Sequence, residues 1–124
     1  MRLIIILLAT IGGYVNAHQW TPTHPEMRPS HIQGLYTTEM HLFNSRKEIN
    51  YYSIRVFDKD WVPVPFAAAP SLIRANYLSH HYSDIYIRKT DLKRAHYICS
   101  KSKILSTVKD PSIIASRICS KIKK

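Results

Sequence analysis

The sequence predicts an all-β protein, an immunoglobulin-like β-sandwich of about seven strands that follows a short leader. Three observations carry that expectation. Apolar and polar residues alternate with period two in several segments rich in Val, Ile, Tyr and Phe. Clusters of Asn, Asp, Ser and Pro separate those segments at the spacing of a sandwich. No stretch shows three clean turns of helical periodicity.

The first seventeen residues stand apart. Met1-Arg2 is a short positive start, Leu3 to Ile11 is almost unbroken apolar sequence, and Val15-Asn16-Ala17 fits a small-x-small cleavage signal. The apolar run falls short of the roughly 20 residues that span a bilayer. Residues 1–17 therefore read as a signal peptide cut before His18, with an uncleaved anchor as the other reading. Residues 18–124 form one domain, large enough for a single core. The expected location is periplasmic or secreted, with no membrane insertion after cleavage.

The expected strands lie near 20–28, 35–43, 49–57, 62–67, 81–89, 95–102 and 113–122. In the second, Tyr36, Thr38, Met40 and Leu42 share a face. In the third, Tyr52, Ile54 and Val56 oppose Tyr51, Ser53, Arg55 and Phe57. In the fifth, Ile85 and Ile87 oppose Tyr82, Asp84, Tyr86 and Arg88. This pattern places Met40, Tyr52, Ile54, Val56, Ile85 and Ile87 in the core, with Trp61 packed at a strand end and Arg55 and Arg88 exposed. Pro63 and Pro65 flank Val64 and suit an edge strand or a crossing between sheets, because neither donates a ladder hydrogen bond. The "PSLIRANYL" segment reads as a short helical turn.

The only two cysteines sit in similar settings, Ile98-Cys99-Ser100-Lys101 and Ile118-Cys119-Ser120-Lys121. In an oxidising compartment two cysteines are most simply one disulfide, here joining the last two strands as antiparallel neighbours. Two free buried thiols are the alternative in a reducing one.

Charge and chemistry narrow the function. The chain has 18 Lys and Arg against 8 Asp and Glu, a net charge of +10 that becomes +9 without Arg2. That balance favours acidic partners, and in an exported protein it points away from nucleic acid. After the leader Gly34 is the one glycine, so no phosphate-cradling loop or dinucleotide fingerprint can be built. Asp58 and Asp60 bracket a turn, where Asp usually caps the backbone. The seven histidines lack local metal-ligand spacing. No enzyme, metal or cofactor is expected. An effector acting on anionic membranes would want an amphipathic basic helix, and none is visible.

The segment "NSRKEINYYSIRVFDKDWVPVPF" resembles the N-terminal domain of periplasmic pilus-assembly chaperones. Met27-Arg28 falls at a Thr-Arg pair of that family's first strand, and Leu42-Phe43-Asn44 where an apolar residue leads into Asn and a turn. Tyr97 falls among the aromatics of the penultimate strand. Arg117 to Lys121 fall where the last strand carries a basic residue, usually Lys rather than Arg. A long connection and a disulfide between the last two strands mark one branch of the family, and Cys99 and Cys119 would reproduce them. The resemblance implies a single-domain relative that holds or caps another envelope or pilus protein by strand pairing. Carried over, Arg28 and Arg117 would bind the partner's terminal carboxylate, and Ile114, Ile118 and Ile122 would be donated, with Ser116 and Ser120 thinning that row. The bland reading keeps both arginines as solvated edge charges and the isoleucines as core. The alternative function is a basic structural subunit of a surface appendage, secretion assembly or phage-related envelope factor.

Overall fold

The computed structural model describes residues 18–104 and 115–124; the leader and Ile114 lie outside the described residues. The strands are β1 (Gln19–Thr21), β2 (Arg28–Pro29), β3 (Leu35–Phe43), β4 (Tyr51–Phe57), β5 (Ala67–Ala69), β6 (Leu72–Arg74), β7 (His80–Arg88), β8 (Tyr97–Ser102) and β9 (Arg117–Lys121), with a single helical turn, α1 (Lys89–Leu92), after β7. They form an immunoglobulin-like sandwich of two antiparallel sheets. One runs β1-β3-β7-β5 with β2 also paired to β3, and the other runs β6-β4-β8-β9.

Period-two alternation decides which residues meet between the sheets. Met40 and Leu42 on β3, and Ile85 and Ile87 on β7, point inward from the first sheet. Tyr52, Ile54 and Val56 on β4, Ile73 on β6 and Ile98 on β8 point inward from the second, and all are essentially solvent-free. The six expected core residues are all among them, and Arg55 and Arg88 are exposed. Trp20 spans the layers, its indole Nε1–H donating to the Ile98 carbonyl at 3.0 Å.

Four expectations change. The strand expected over 20–28 splits into β1 and β2, with Pro22 and Pro25 between them removing two ladder donors. The strand expected at 62–67 reduces to one bridge, Phe57 to Pro63, and the short β5 begins at Ala67. The expected helical turn holds β6, because burying Ile73 opposite Tyr52 outweighs any turn preference in so short a run. Trp61 is not packed inward: it lies at φ 62° and is 45% exposed. The Asp58 carboxylate holds that turn by accepting from the N–H groups of Asp60 (2.8 Å) and Val62 (2.9 Å).

At the far end of the sandwich Asn44 replaces a turn of regular structure with its own side chain. Its buried amide donates to the carbonyls of Ile49 and Ala75, both at 2.8 Å, and its oxygen accepts from the Arg46 N–H (2.9 Å) and the Tyr52 hydroxyl (2.5 Å). Every hydrogen-bonding site of that amide is occupied, which makes its complete burial tolerable.

Candidate functional site

β9 ends its sheet, so the chemistry of its outer edge matters most. Its register against β8 is fixed by the pairs Lys101↔Arg117, Ser100↔Ile118, Cys99↔Cys119, Ile98↔Ser120 and Tyr97↔Lys121. Cys99 and Cys119 are bonded as a disulfide with Cα atoms 4.0 Å apart. That short separation suits a pair that does not exchange ladder hydrogen bonds, where opposed side chains come closest. The neighbouring even-numbered residues bond to β8 instead: Ser102 N–H donates to the Ser116 carbonyl at 2.8 Å, and Ile122 N–H to the His96 carbonyl at 2.8 Å.

The odd-numbered residues of β9 therefore turn their N–H and C=O groups away from the sheet. For the last of them that edge is covered. Lys121 N–H donates to the Thr23 carbonyl (3.0 Å), Lys123 N–H to the Pro25 carbonyl (2.8 Å), and His24 Nδ1–H to the Lys121 carbonyl (3.3 Å). At Arg117 and Cys119 no such partner exists among the described residues. Among the described residues a short stretch of strand edge is therefore left without a ladder partner, with β1 lying alongside β9.

The side chains alternate in the other direction. Ile118, Ser120 and Ile122 face the core, whereas Arg117, Cys119 and Lys121 face outward from the second sheet. Beside the open edge that outer face has a depression of about 280 Å³, lined by Ser53, Arg55, Phe57, Cys99, Lys101 and Arg117. Three of those six residues are cations and none is acidic. The Arg117 guanidinium carbon lies 5.0 Å from the Trp61 ring centroid and 5.6 Å from that of Phe57, and Trp61 stacks on Tyr97 at 4.2 Å. These rings hold the arginine in place through cation–π attraction.

His18 secures the strand from inside. Its ring is 2% exposed, its Nε2 is 2.7 Å from the Ser100 hydroxyl and its Nδ1 3.1 Å from the Ser116 hydroxyl, so it ties the entry of β9 to β8. One nitrogen donates and the other accepts in the neutral ring. Burial pushes its pKa from 6.5 down to about 4; hydrogen bonding to the Ser100 backbone opposes that shift and the nearby Arg46 charge adds to it.

The two arginines expected to form one clamp are not brought together. Arg28 pairs with Thr37 in the first sheet, and alternation turns it to that sheet's outer face, in a depression shared with Glu26, Glu39 and Asp84. Arg117 lies on the outer face of the second sheet. Three carboxylates line the same depression as Arg28, and their negative charge disfavours another carboxylate there. Ile118 is half-buried against the core, and Ile122, at 3% exposed, is a core residue. Ile122 cannot be donated without opening the sandwich.

The residues that sequence reasoning missed are His18, Arg55 and Lys101. Lys101 was legible in principle. Once Cys99 opposes Cys119, antiparallel counting puts Lys101 opposite Arg117. His18 gave no signal, since its partners are 82 and 98 residues away.

Solved structures supply the closing comparison. The E. coli chaperone DraB superposes with a TM-score of 0.64 and 16% identity, over 86% of this chain and 53% of DraB. The SafB chaperone, solved in complex with the Salmonella enterica SafA pilin, superposes with a TM-score of 0.66 and 14% identity, over 88% of this chain and 54% of its own. The fold is that of a pilus chaperone domain. This chain spans about half the length of those chaperones. The sequence itself matches no protein-family model and no curated protein. Among the described residues, no helix is long and apolar enough to cross a membrane.

Proposed function

We propose that this domain is an exported, chaperone-like binding module that holds a pilin-like or other envelope protein by β-strand pairing at β9. The observation that carries this reading is the open edge at Arg117 and Cys119, on a strand otherwise anchored by a disulfide, a ladder and the Thr23–Pro25 segment. An incoming strand finds unpaired N–H and C=O groups already held in extended geometry, which limits the ordering cost of binding. Ile118 lies in the row that the partner's apolar side chains extend. Of the two arginines, Arg117 is the one beside the edge, and it serves as the carboxylate-binding cation.

The test uses tagged protein recovered from the periplasm, with its N-terminus sequenced and co-purifying chains identified. Export predicts an N-terminus at His18. Arg117→Pro removes an outward-facing N–H as well as the guanidinium and leaves the ladder to β8 complete, so it should abolish capture of those chains, beyond the loss that the missing cation causes in Arg117→Ala. Arg117→Ala should weaken capture and Arg28→Ala should leave it unchanged, with both proteins folded because exposed charges contribute little to stability. Undiminished capture by Arg117→Pro would remove the strand-pairing mechanism.

A further inference from the structure

We infer that the strand taken up at the β9 edge is an acidic one, which places a carboxylate in the depression between Arg55, Lys101 and Arg117 while its alternate apolar residues lie beside Ile118. This inference rests on the strand-pairing reading above and adds the chemistry of the partner.

The argument begins with register. A strand added to β9 must alternate as β9 does, so the residue set opposite Arg117 projects on the outer face of the second sheet. The charged side chains lining the depression there are all cationic. Arg117 and Lys101 are directly opposed across the β8–β9 ladder, and Arg55 is paired with Cys99 one strand further in. All three line the same depression of about 280 Å³. The three ion pairs among the described residues are Arg46–Glu48, Arg88–Asp91 and Arg94–Asp91, and none of them involves Arg55, Lys101 or Arg117.

Directly opposed like charges on neighbouring strands destabilise a sheet. Here the Lys101–Arg117 repulsion is tolerated across a ladder locked by the adjacent disulfide, with the arginine held by Trp61 and Phe57. A carboxylate entering from the next strand relieves it and gains charge-assisted hydrogen bonds, which a guanidinium can make in pairs. At Arg28 in the first sheet the depression is also lined by Glu26, Glu39 and Asp84, which repel an incoming carboxylate. On the inner side of the same edge the row is Ile118 and Ser120, which asks for apolar or small residues. The partner strand therefore alternates acidic and apolar positions.

The test measures binding of the full chain to three fluorescent peptides of about ten residues, a length that spans a typical strand. They share Val and Leu at alternate positions and carry Glu, Gln or Lys between them. At about 50 mM salt the Glu peptide should bind about tenfold tighter than the Gln peptide, with the Lys peptide weakest. The Glu advantage should shrink by about 500 mM salt, where screening shortens the reach of these charges. The double variant Arg55→Glu, Lys101→Glu should reverse the order of the Glu and Lys peptides. N-methylation of the Glu peptide at alternate residues, in the register whose N–H groups face β9, should abolish binding without altering the protein.

Equal binding of all three peptides, lost on N-methylation, would overturn the acidic assignment and leave strand pairing standing. A Glu preference that survives N-methylation in both registers would show carboxylates held without a ladder and would overturn strand pairing. Absence of binding by any peptide would overturn both.

Discussion

Acidification should loosen this fold through His18. In the unfolded chain an imidazole titrates at its ordinary 6.5, whereas burial holds it near about 4 in the fold. Between those values the unfolded state binds the extra proton, so stability is complete above pH 6.5 and is lost as the pH falls toward 4. The full difference is about 3 kcal/mol at about 1.4 kcal/mol per pH unit, of which about 2 kcal/mol should be gone at pH 5. With a urea dependence of about 1–2 kcal/mol/M for a domain of this size, the unfolding midpoint should fall by roughly 1–2 M between pH 7.5 and 5.

The assay is urea unfolding followed by tryptophan fluorescence at half-unit steps of pH, on wild type and His18→Gln. The amide still reaches Ser100 or Ser116 but cannot take up a proton, so the variant should start lower and stay flat. Asp91 does not confuse the result. The hydrogen bond from Arg88, helped by Arg94, holds its carboxyl below the usual 3.8, so its stabilisation is lost only at lower pH. The reasoning fails if wild type and His18→Gln lose midpoint in parallel from pH 6.5 to 5.

Three further perturbations have definite signs. Asn44→Ala strands two carbonyls, an amide N–H and the Tyr52 hydroxyl in the interior, and should cost about 3 kcal/mol or more; Tyr52→Phe should cost about 1 kcal/mol, since the Asn44 oxygen keeps its Arg46 partner. Chemical denaturation of both variants checks the ratio. Breaking the Cys99–Cys119 bond, which joins residues 20 apart, should lower stability by about 3 kcal/mol in the chain-entropy account; unfolding with and without reductant reads it. Gly34 sits at φ +83° with open space where a Cβ would go, so Gly34→Ala should cost about 1 kcal/mol from backbone conformation alone. A substantially larger loss in thermal or urea unfolding would mean that the alanine meets something besides that backbone penalty.

Long alternating segments were legible because a half-buried strand has no other way to hide its apolar residues. β3, β4, β7 and β8 follow from that rule, and so does the inward row Met40, Tyr52, Ile54, Val56, Ile85 and Ile87. The three-residue strands β5 and β6 were not legible, since one buried or half-buried residue between two exposed ones has no measurable period. Trp61 misled for a different reason: a large aromatic predicts burial by size, yet a positive φ after Asp58 turns it outward onto Tyr97 and under Arg117. The site was only half legible. Resemblance pointed to Arg117, whereas its companions Lys101 and Arg55 follow from cross-strand register, and the proposed partner of Arg117, Arg28, was assigned without knowing which sheet would carry it.

An open strand edge is a hazard as well as a binding site, and the treatment of the four sheet edges separates the two roles. β1, β5 and β6 are three residues long, too short to recruit another strand strongly. The lower part of β9 is sealed by the Thr23 and Pro25 carbonyls. Among the described residues only the upper part, at Arg117 and Cys119, lacks a ladder partner, and Arg117 is the kind of charged residue that discourages edge-to-edge pairing. Two copies of this domain meeting at β9 would bring their Arg55, Lys101 and Arg117 clusters together with no intervening anion, and the repulsion opposes self-association. An acidic strand meets the same three cations with the opposite sign of energy. Rejection of self and preference for an acidic partner thus come from one set of side chains, because specificity is a difference between two interactions. Lys101→Gln combined with Arg117→Gln should therefore do two things at once, weakening capture of an acidic strand and raising the tendency to dimerise in sedimentation velocity. If the double variant stays monomeric at concentrations where it no longer holds the acidic peptide, the cations act on the partner alone and the self-repulsion argument falls.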